Sequence, residues 1–267
     1  MSNITFKKGN IFSSDKQTVV NTINCVGVMG KGVALGFRLR YPEMYEKYKE
    51  FCKNKQIAIG KLWLYKQPQE GTQWVLNFPT KFHWKYPSKM EYLEAGLQKF
   101  VDTYEEKGIT SIAFPLLGTH NGGLDKIEVM DMMHSYLEKC SIPIDIYEYD
   151  PTVPDELFNQ FKEKWMAIPM SDKKNMGIRA NQIETIDNAI NDANICSMTA
   201  LSEFDGIPSS CLRMSKLRPS TLRWALSMAR VTMPASMASP SGILRRSMMA
   251  RTRSPAKMRM SASSRLR

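Results

Sequence analysis

The stretch Thr18-Val19-Val20-Asn21-Thr22-Ile23-Asn24-Cys25-Val26-Gly27-Val28-Met29-Gly30-Lys31-Gly32 decides the fold. Residues 18–23 are β-branched except for Asn21, the composition of a strand. Glycines at 27, 30 and 32 then turn the chain, and a helical pattern runs from Gly32 to about Lys53. Pro42 interrupts that pattern, because proline cannot continue a helix but starts one well. Strand, glycine-rich loop and helix in this order form the first half of a β-α-β unit.

The same alternation continues on both sides. Residues 4–7, 61–66, 74–78, 109–114 and 142–149 read as further strands, with Pro68 and Gly71 supplying a turn between the second and third of these. Ser88 and Glu91 have the spacing of a capping box, and Leu93, Leu97, Phe100, Val101 and Tyr104 mark one face of the helix that follows. Residues 126–140 predict another helix. Strands separated by helices of this length imply an α/β fold of three layers, α/β/α, around a mixed, mostly parallel sheet. Ligands of such folds bind outside the carboxyl ends of the strands.

Charge divides the chain further. The 267 residues carry a net charge of +11, yet residues 206–267 hold 13 basic residues and no acid. The remaining 205 residues have 24 basic and 26 acidic side chains, and residues 1–150 alone sum to +2. Residues 151–205 read as a small helical appendage, with helices near 154–165 and 181–193; Ile183, Ile186 and Ile190 share a face of the second. Beyond 206 no hydrophobic period survives. Serine, arginine, methionine and alanine dominate there, which fits a disordered basic tail or a reading frame that has slipped.

Other features exclude classes of function. No apolar run reaches the roughly 18–20 residues of a membrane span, and the first ten residues lack the apolar core of a secretion signal. Five cysteines (Cys25, Cys52, Cys140, Cys196, Cys211) are widely spaced and odd in number, as expected of a reducing cytoplasm. With only three histidines and no paired cysteine motif, no metal site is expected.

Three loops carry the candidate chemistry. In the first, residues 24–32, glycines permit close backbone approach and the helix N-terminus offers free N–H groups to a phosphate. A purely structural corner has the same composition. The second is Gly118-Thr119-His120-Asn121-Gly122-Gly123-Leu124-Asp125, again between strand and helix. Two such loops on one sheet suit a phosphate-bearing ligand held between them. Asp125 is placed to cap the next helix in a D-x-x-E arrangement with Glu128, a role that does not exclude catalysis. His120 reads either as a ligand contact or as a polar loop residue.

Between these loops lies Asn77-Phe78-Pro79-Thr80-Lys81-Phe82-His83-Trp84-Lys85-Tyr86-Pro87-Ser88-Lys89. Residues 61–89 contain five lysines and one acid, and Phe82, Trp84 and Tyr86 alternate with polar or basic residues. Rings that stack on bases beside lysines that meet phosphates suit single-stranded nucleic acid, with Phe82, His83, Trp84 and Lys85 as the candidate nucleic-acid contacts. A solvated basic strand end would have the same pattern. A lysine just past a strand end among rings is also a candidate nucleophile, since burial lowers an amine's pKa.

The runs VVNTINCVGVMGKGVALGF, NFPTKFHW with PSKMEYLEAGL, and FPLLGTHNGGLD together resemble the macrodomain of DarG antitoxins, relatives of terminal ADP-ribose glycohydrolase macrodomains. The resemblance covers about residues 3–150 and implies an ADP-ribose pocket. Asn10 and Ile11 would lie at the adenine, with Asn10 standing where relatives commonly have Asp. Asn24 would face the distal ribose. Gly30, Lys31, Gly32 and Val33 would line the diphosphate and distal ribose from one side, and Gly118, Thr119, His120, Asn121, Gly122, Gly123 and Leu124 would close over the diphosphate from the other. Lys81 matches the lysine this branch uses catalytically, and Asp125 the acidic residue that assists it.

The implied activity is removal of ADP-ribose from thymidine in single-stranded DNA, with no metal or redox cofactor. The implied partner is the cognate DarT-type toxin, and no membrane partner is expected. In these antitoxins the region after 150 binds the toxin, so residues 151–205 could begin that module. The competing expectations are a non-catalytic ADP-ribose reader and an antitoxin acting mainly by protein contact.

Overall fold

The computed structural model describes residues 3–67 and 73–212. Most of the basic tail, residues 213–267, and the expectations attached to it lie outside the described residues. Six strands form one sheet: β1 (Ile4–Gly9), β2 (Thr18–Asn24), β3 (Trp63–Tyr65), β4 (Trp74–Lys81), β5 (Ile112–Pro115) and β6 (Ile144–Tyr149), in the order β1-β6-β5-β2-β4-β3. All neighbours pair in parallel except β3, which runs antiparallel along the outer edge of β4. The expected mixed, mostly parallel sheet is therefore present.

Both faces of the sheet are covered, as the near-continuous apolar runs of β2 and β4 require. Successive residues point to opposite faces. Val20, Leu76 and Phe114 pack with Leu93, Leu97 and Phe100 of α3 (Met90–Thr103) and Val129 and Met133 of α4 (Lys126–Leu137). Val19, Val75 and Ala113 pack on the other side with Phe37 of α1 (Gly32–Arg40) and Met44 and Tyr48 of α2 (Pro42–Lys53). The helical interruption falls at Tyr41, whose N–H closes α1 on Phe37, and Pro42 opens α2.

Two local expectations differ from the structure. The capping box of Ser88 and Glu91 does not form: α3 begins at Met90, with Lys89 at its cap position and no side-chain cap. Ser88 is instead drawn under the 118–124 loop, where its N–H donates to Gly122 O at 2.9 Å. Strand β4 also runs on to Lys81, three residues past the expected end, because it stays paired with β2 as far as Asn24.

Residues 151–212 pack as a helical cluster of α5 (Glu156–Met166), α6 (Met170–Asn175), α7 (Ala180–Asn191) and α8 (Met198–Glu203). Phe161, Trp165, Ile183, Ile186, Ile190 and Leu201 make its core. Ile207, Cys211 and Leu212 are buried in the same core, so the packed region extends past residue 205. Leu35 of α1 also belongs to it, which docks the cluster on the sheet domain. No helix among the described residues is long and apolar enough to cross a membrane.

Candidate functional site

A cleft of about 880 Å³ opens at the carboxyl ends of the parallel strands. That volume lies in the range of a small-molecule site. Its walls come from the chain after β1, the end of β2 with the 28–34 segment, the end of β4, the loop after β5 and the end of β6. These are the places where the topology predicts a ligand.

The first loop is built by Asn24. Its side-chain Oδ1 accepts from the N–H groups of Val26 (3.1 Å) and Val28 (3.3 Å), while Nδ2 donates to Val28 O. The buried Tyr48 hydroxyl donates to Asn24 O at 2.6 Å and lies 3.1 Å from Oδ1. Among the described residues the second N–H of the Asn24 amide has no partner, and Asn24 lines the cleft. The loop ends at α1, whose cap residue Lys31 makes no side-chain cap, so the first-turn N–H groups of Gly32, Val33 and Ala34 have no cap, and all three residues line the cleft. This is a seat for the negative charge of a phosphate.

The second loop closes on the first. A Cβ at Gly32, where φ is +57°, would sit 2.7 Å from Asn121 Nδ2. Within the loop, a Cβ at Gly122 would sit 2.0 Å from Gly118 O. Gly122 is demanded by this close approach of main chain to main chain, and Gly32 by its left-handed backbone, since the Asn121 amide can turn aside.

Lys81 stands at the end of β4 beside Asn24 of β2, its neighbour across the parallel pair, where a register shift occurs at Ile23 and Asn24. The Cys25 N–H bridges Lys81 O (3.1 Å) and Phe82 O (3.2 Å), locking the two strand ends together. Lys81 lines the cleft, and its Nζ donates to Asn121 O. Partial burial pushes its pKa below the ordinary lysine value.

The ring-rich segment after Lys81 forms the rim. Trp84 lines the cleft and is half exposed, while Phe82 and Tyr86 are 63% and 64% exposed. His83 lies between Trp84 and Tyr86, with centroids 5.6 and 5.5 Å away, and its Nδ1 accepts from the Lys85 N–H. Lys85 Nζ sits 5.3 Å from the centre of the Trp84 ring.

Of the residues singled out by sequence, Asn10, Ile11, Asn24, Gly30, Lys31, Gly32, Val33, Lys81 and most of the 118–124 loop line one cleft. Gly123 and Asp125 do not, nor do Phe82, His83 and Lys85. Asp125 caps α4, its Oδ1 accepting from Ile127 N at 2.8 Å and Glu128 N at 3.1 Å. Asn10 also has a structural duty, accepting from Phe12 N at 3.1 Å. His120 reaches Glu203 of α8 at 2.9 Å. Sequence reasoning missed Tyr149, which the strand-end rule could have found. It also missed Thr199, Ser202 and residues 207–209, which carry no motif.

The model of the Macro domain family matches residues 20–133. The chain is 42% identical over 150 residues to a Mycobacterium tuberculosis protein named DNA ADP-ribosyl glycohydrolase, a match covering 56% of this chain and 42% of that protein. The chain thus spans about two-fifths of the length of the curated relatives it matches. It is similar to the solved macrodomain of Mycobacterium tuberculosis DarG, with a TM-score of 0.52, 42% identity and coverage of 55% of this chain and 97% of that one. It is also similar to a structure titled Thermosipho africanus DarTG in complex with ADP-ribose, with a TM-score of 0.54, 38% identity and coverage of 55% and 42%. The chain belongs to the macrodomain family, and its macrodomain is of the DarG type.

Proposed function

We propose that this chain is a DNA ADP-ribosyl glycohydrolase that removes ADP-ribose from thymidine in single-stranded DNA and so acts as antitoxin to a DarT-type DNA ADP-ribosyltransferase. The carrying observation is Lys81: an amine of lowered pKa at the wall of a cleft that also offers a helix N-terminus to a diphosphate. A module that only reads ADP-ribose needs no such group.

The chemistry follows from the residue types. Once the distal ribose ring opens, C1 is a carbonyl-level carbon open to the neutral Lys81 amine. The Nζ–C1 bond forms, the C1–base bond breaks, and the base leaves with a proton. Water then adds to the Schiff base, and its collapse releases ADP-ribose and restores the lysine. Asp125 caps α4 and lies off the cleft lining, so water is the candidate for carrying the proton. The exposed rings of Phe82, Trp84 and Tyr86, with the partly buried His83 between them and Lys85 beside them, give the DNA strand a stacking and phosphate-binding rim.

The test is incubation of the full chain with single-stranded DNA carrying ADP-ribosyl-thymidine. The expected result is free ADP-ribose, with a covalent adduct trapped by borohydride in the native protein and not in Lys81→Ala. Binding of ADP-ribose without release would instead support a reader, and full activity in Lys81→Ala would remove the lysine from the mechanism.

A further inference from the structure

We infer that the helical region after residue 150 is a wall of the nucleotide cleft, in which the Thr199 hydroxyl contacts the adenosine half of the ligand. This rests on the reading that the cleft takes ADP-ribose. The helical region is pinned to the sheet domain at several points. Asp155 is buried, and its Oδ1 pairs with Arg40 of α1 and accepts from Leu157 N at 3.0 Å; its Oδ2 accepts from Met198 N at 3.2 Å. One carboxylate thus holds α1, the start of α5 and the start of α8 together. The Tyr149 and Ser197 hydroxyls are hydrogen-bonded at 2.9 Å, and Glu203 reaches His120 in the second loop.

These ties set α8 and the turn after it against the cleft, where Thr199, Ser202, Ile207, Pro208 and Ser209 complete its lining. Thr199 is only 7% exposed, and its hydroxyl has no hydrogen-bond partner among the described residues. A hydroxyl at the wall of a cleft that the protein does not itself use can donate to or accept from a ligand. The Ser202 hydroxyl, by contrast, is already spent on Thr199 O at 2.7 Å.

Position identifies the half of the ligand. The Arg40 guanidinium that pairs with Asp155 lies 3.7 Å over the ring of Phe12, next to Asn10 and Ile11 in the turn after β1. Tyr149 ends β6, the neighbour of β1. Lys81 ends β4, four strand spacings from β1, or about 19 Å across the sheet. A ligand whose distal ribose meets Lys81 and whose diphosphate meets α1 brings its adenosine to the β1–β6 side, where α8 stands.

The experiment titrates the full chain with ADP-ribose and with AMP by calorimetry, alongside melting curves. Thr199→Val keeps the shape and removes the hydroxyl; the expected result is a loss of about fivefold in affinity for both ligands with an unchanged melting temperature. Ser209→Trp adds bulk at a half-exposed position and is expected to weaken both by more than about tenfold. Native binding with both variants indistinguishable from it would overturn the wall while leaving ADP-ribose recognition intact. A loss in Ser209→Trp alone would keep the wall and overturn the Thr199 contact. Failure of the native chain to bind ADP-ribose would remove the underlying reading and this inference with it.

Discussion

The Lys81 ammonium donates to the main-chain carbonyl of Asn121, so the amine at the end of β4 is tied to the loop that closes the other side of the cleft. The side-chain amide nitrogen of the same loop residue lies 2.7 Å from where a Cβ on Gly32 would stand. Lysine, second loop and helix N-terminus are therefore one mechanical unit. A ligand entering between the loops must share or displace the Lys81–Asn121 bond.

Lys81→Arg separates charge from nucleophilicity. A guanidinium can still donate to Asn121 O, but it stays protonated and cannot attack carbon. ADP-ribose affinity in Lys81→Arg is expected within about threefold of the native chain, with release of ADP-ribose from DNA reduced by at least about a thousandfold. Calorimetry and a single-turnover release assay check the two halves. Substantial turnover in the arginine variant would show that positive charge, not amine attack, drives the reaction.

The pH profile follows from the lowered pKa of Lys81. Burial disfavours the charged form, so the neutral amine appears at lower pH than in an exposed lysine. Release of ADP-ribose is expected to rise with pH and to level off at a midpoint below 10.5, the ordinary lysine value. The measured quantity is the single-turnover rate against pH on the native chain. A rate that falls as pH rises through this range would mean that the protonated amine is the active form.

Gly122→Ala tests the second loop. Its Cβ would meet main-chain atoms of Gly118 at 2.0 Å, an overlap no side-chain rotation can relieve. The loop must move, and with it the Asn121 carbonyl and the wall facing the diphosphate. Loss of ADP-ribose binding by more than about tenfold is expected, with the fold kept because the loop lies outside the sheet core. Unchanged affinity would place the ligand elsewhere.

The layers and the two glycine loops were legible because they depend on local pattern: β-branched runs, helical spacing and glycines at strand ends. The failed capping box at Ser88 shows where local pattern loses. Its S-x-x-E spacing is sound, but tertiary pairing with Gly122 claims Ser88 before α3 can. Asp125 matched both a helix cap and a catalytic acid, and only geometry reveals that the cap is made while the residue lies off the cleft. The wall at Thr199 had no motif at all. It arises from docking of a helix some 80 residues beyond the loop it touches, through the His120–Glu203 contact and the Asp155 anchor, and single-sequence patterns carry no information on such long-range placement.

Gly96→Ala sets two opposing effects against each other. Glycine inside a helix costs about 1 kcal/mol relative to alanine, so propensity alone predicts that the change stabilises α3. The structure argues the reverse. A Cβ at Gly96 would fall 2.1 Å from the Phe78 ring, and both residues are buried where α3 crosses β4. Phe78 is wholly enclosed and cannot swing away without disturbing Leu93 and Leu97 beside it. Overpacking of this kind costs about 1–3 kcal/mol, and an overlap this deep belongs at the upper end. A net destabilisation of about 1–2 kcal/mol is therefore expected, read as a lower midpoint in urea with an unchanged slope. The parallel change Gly36→Ala meets Phe12 at 2.5 Å, but Phe12 is partly exposed at the surface and has room to yield. Gly36→Ala should consequently cost less than Gly96→Ala, and the opposite order would mean that α3 is packed on the sheet less rigidly than the Phe78 contact implies.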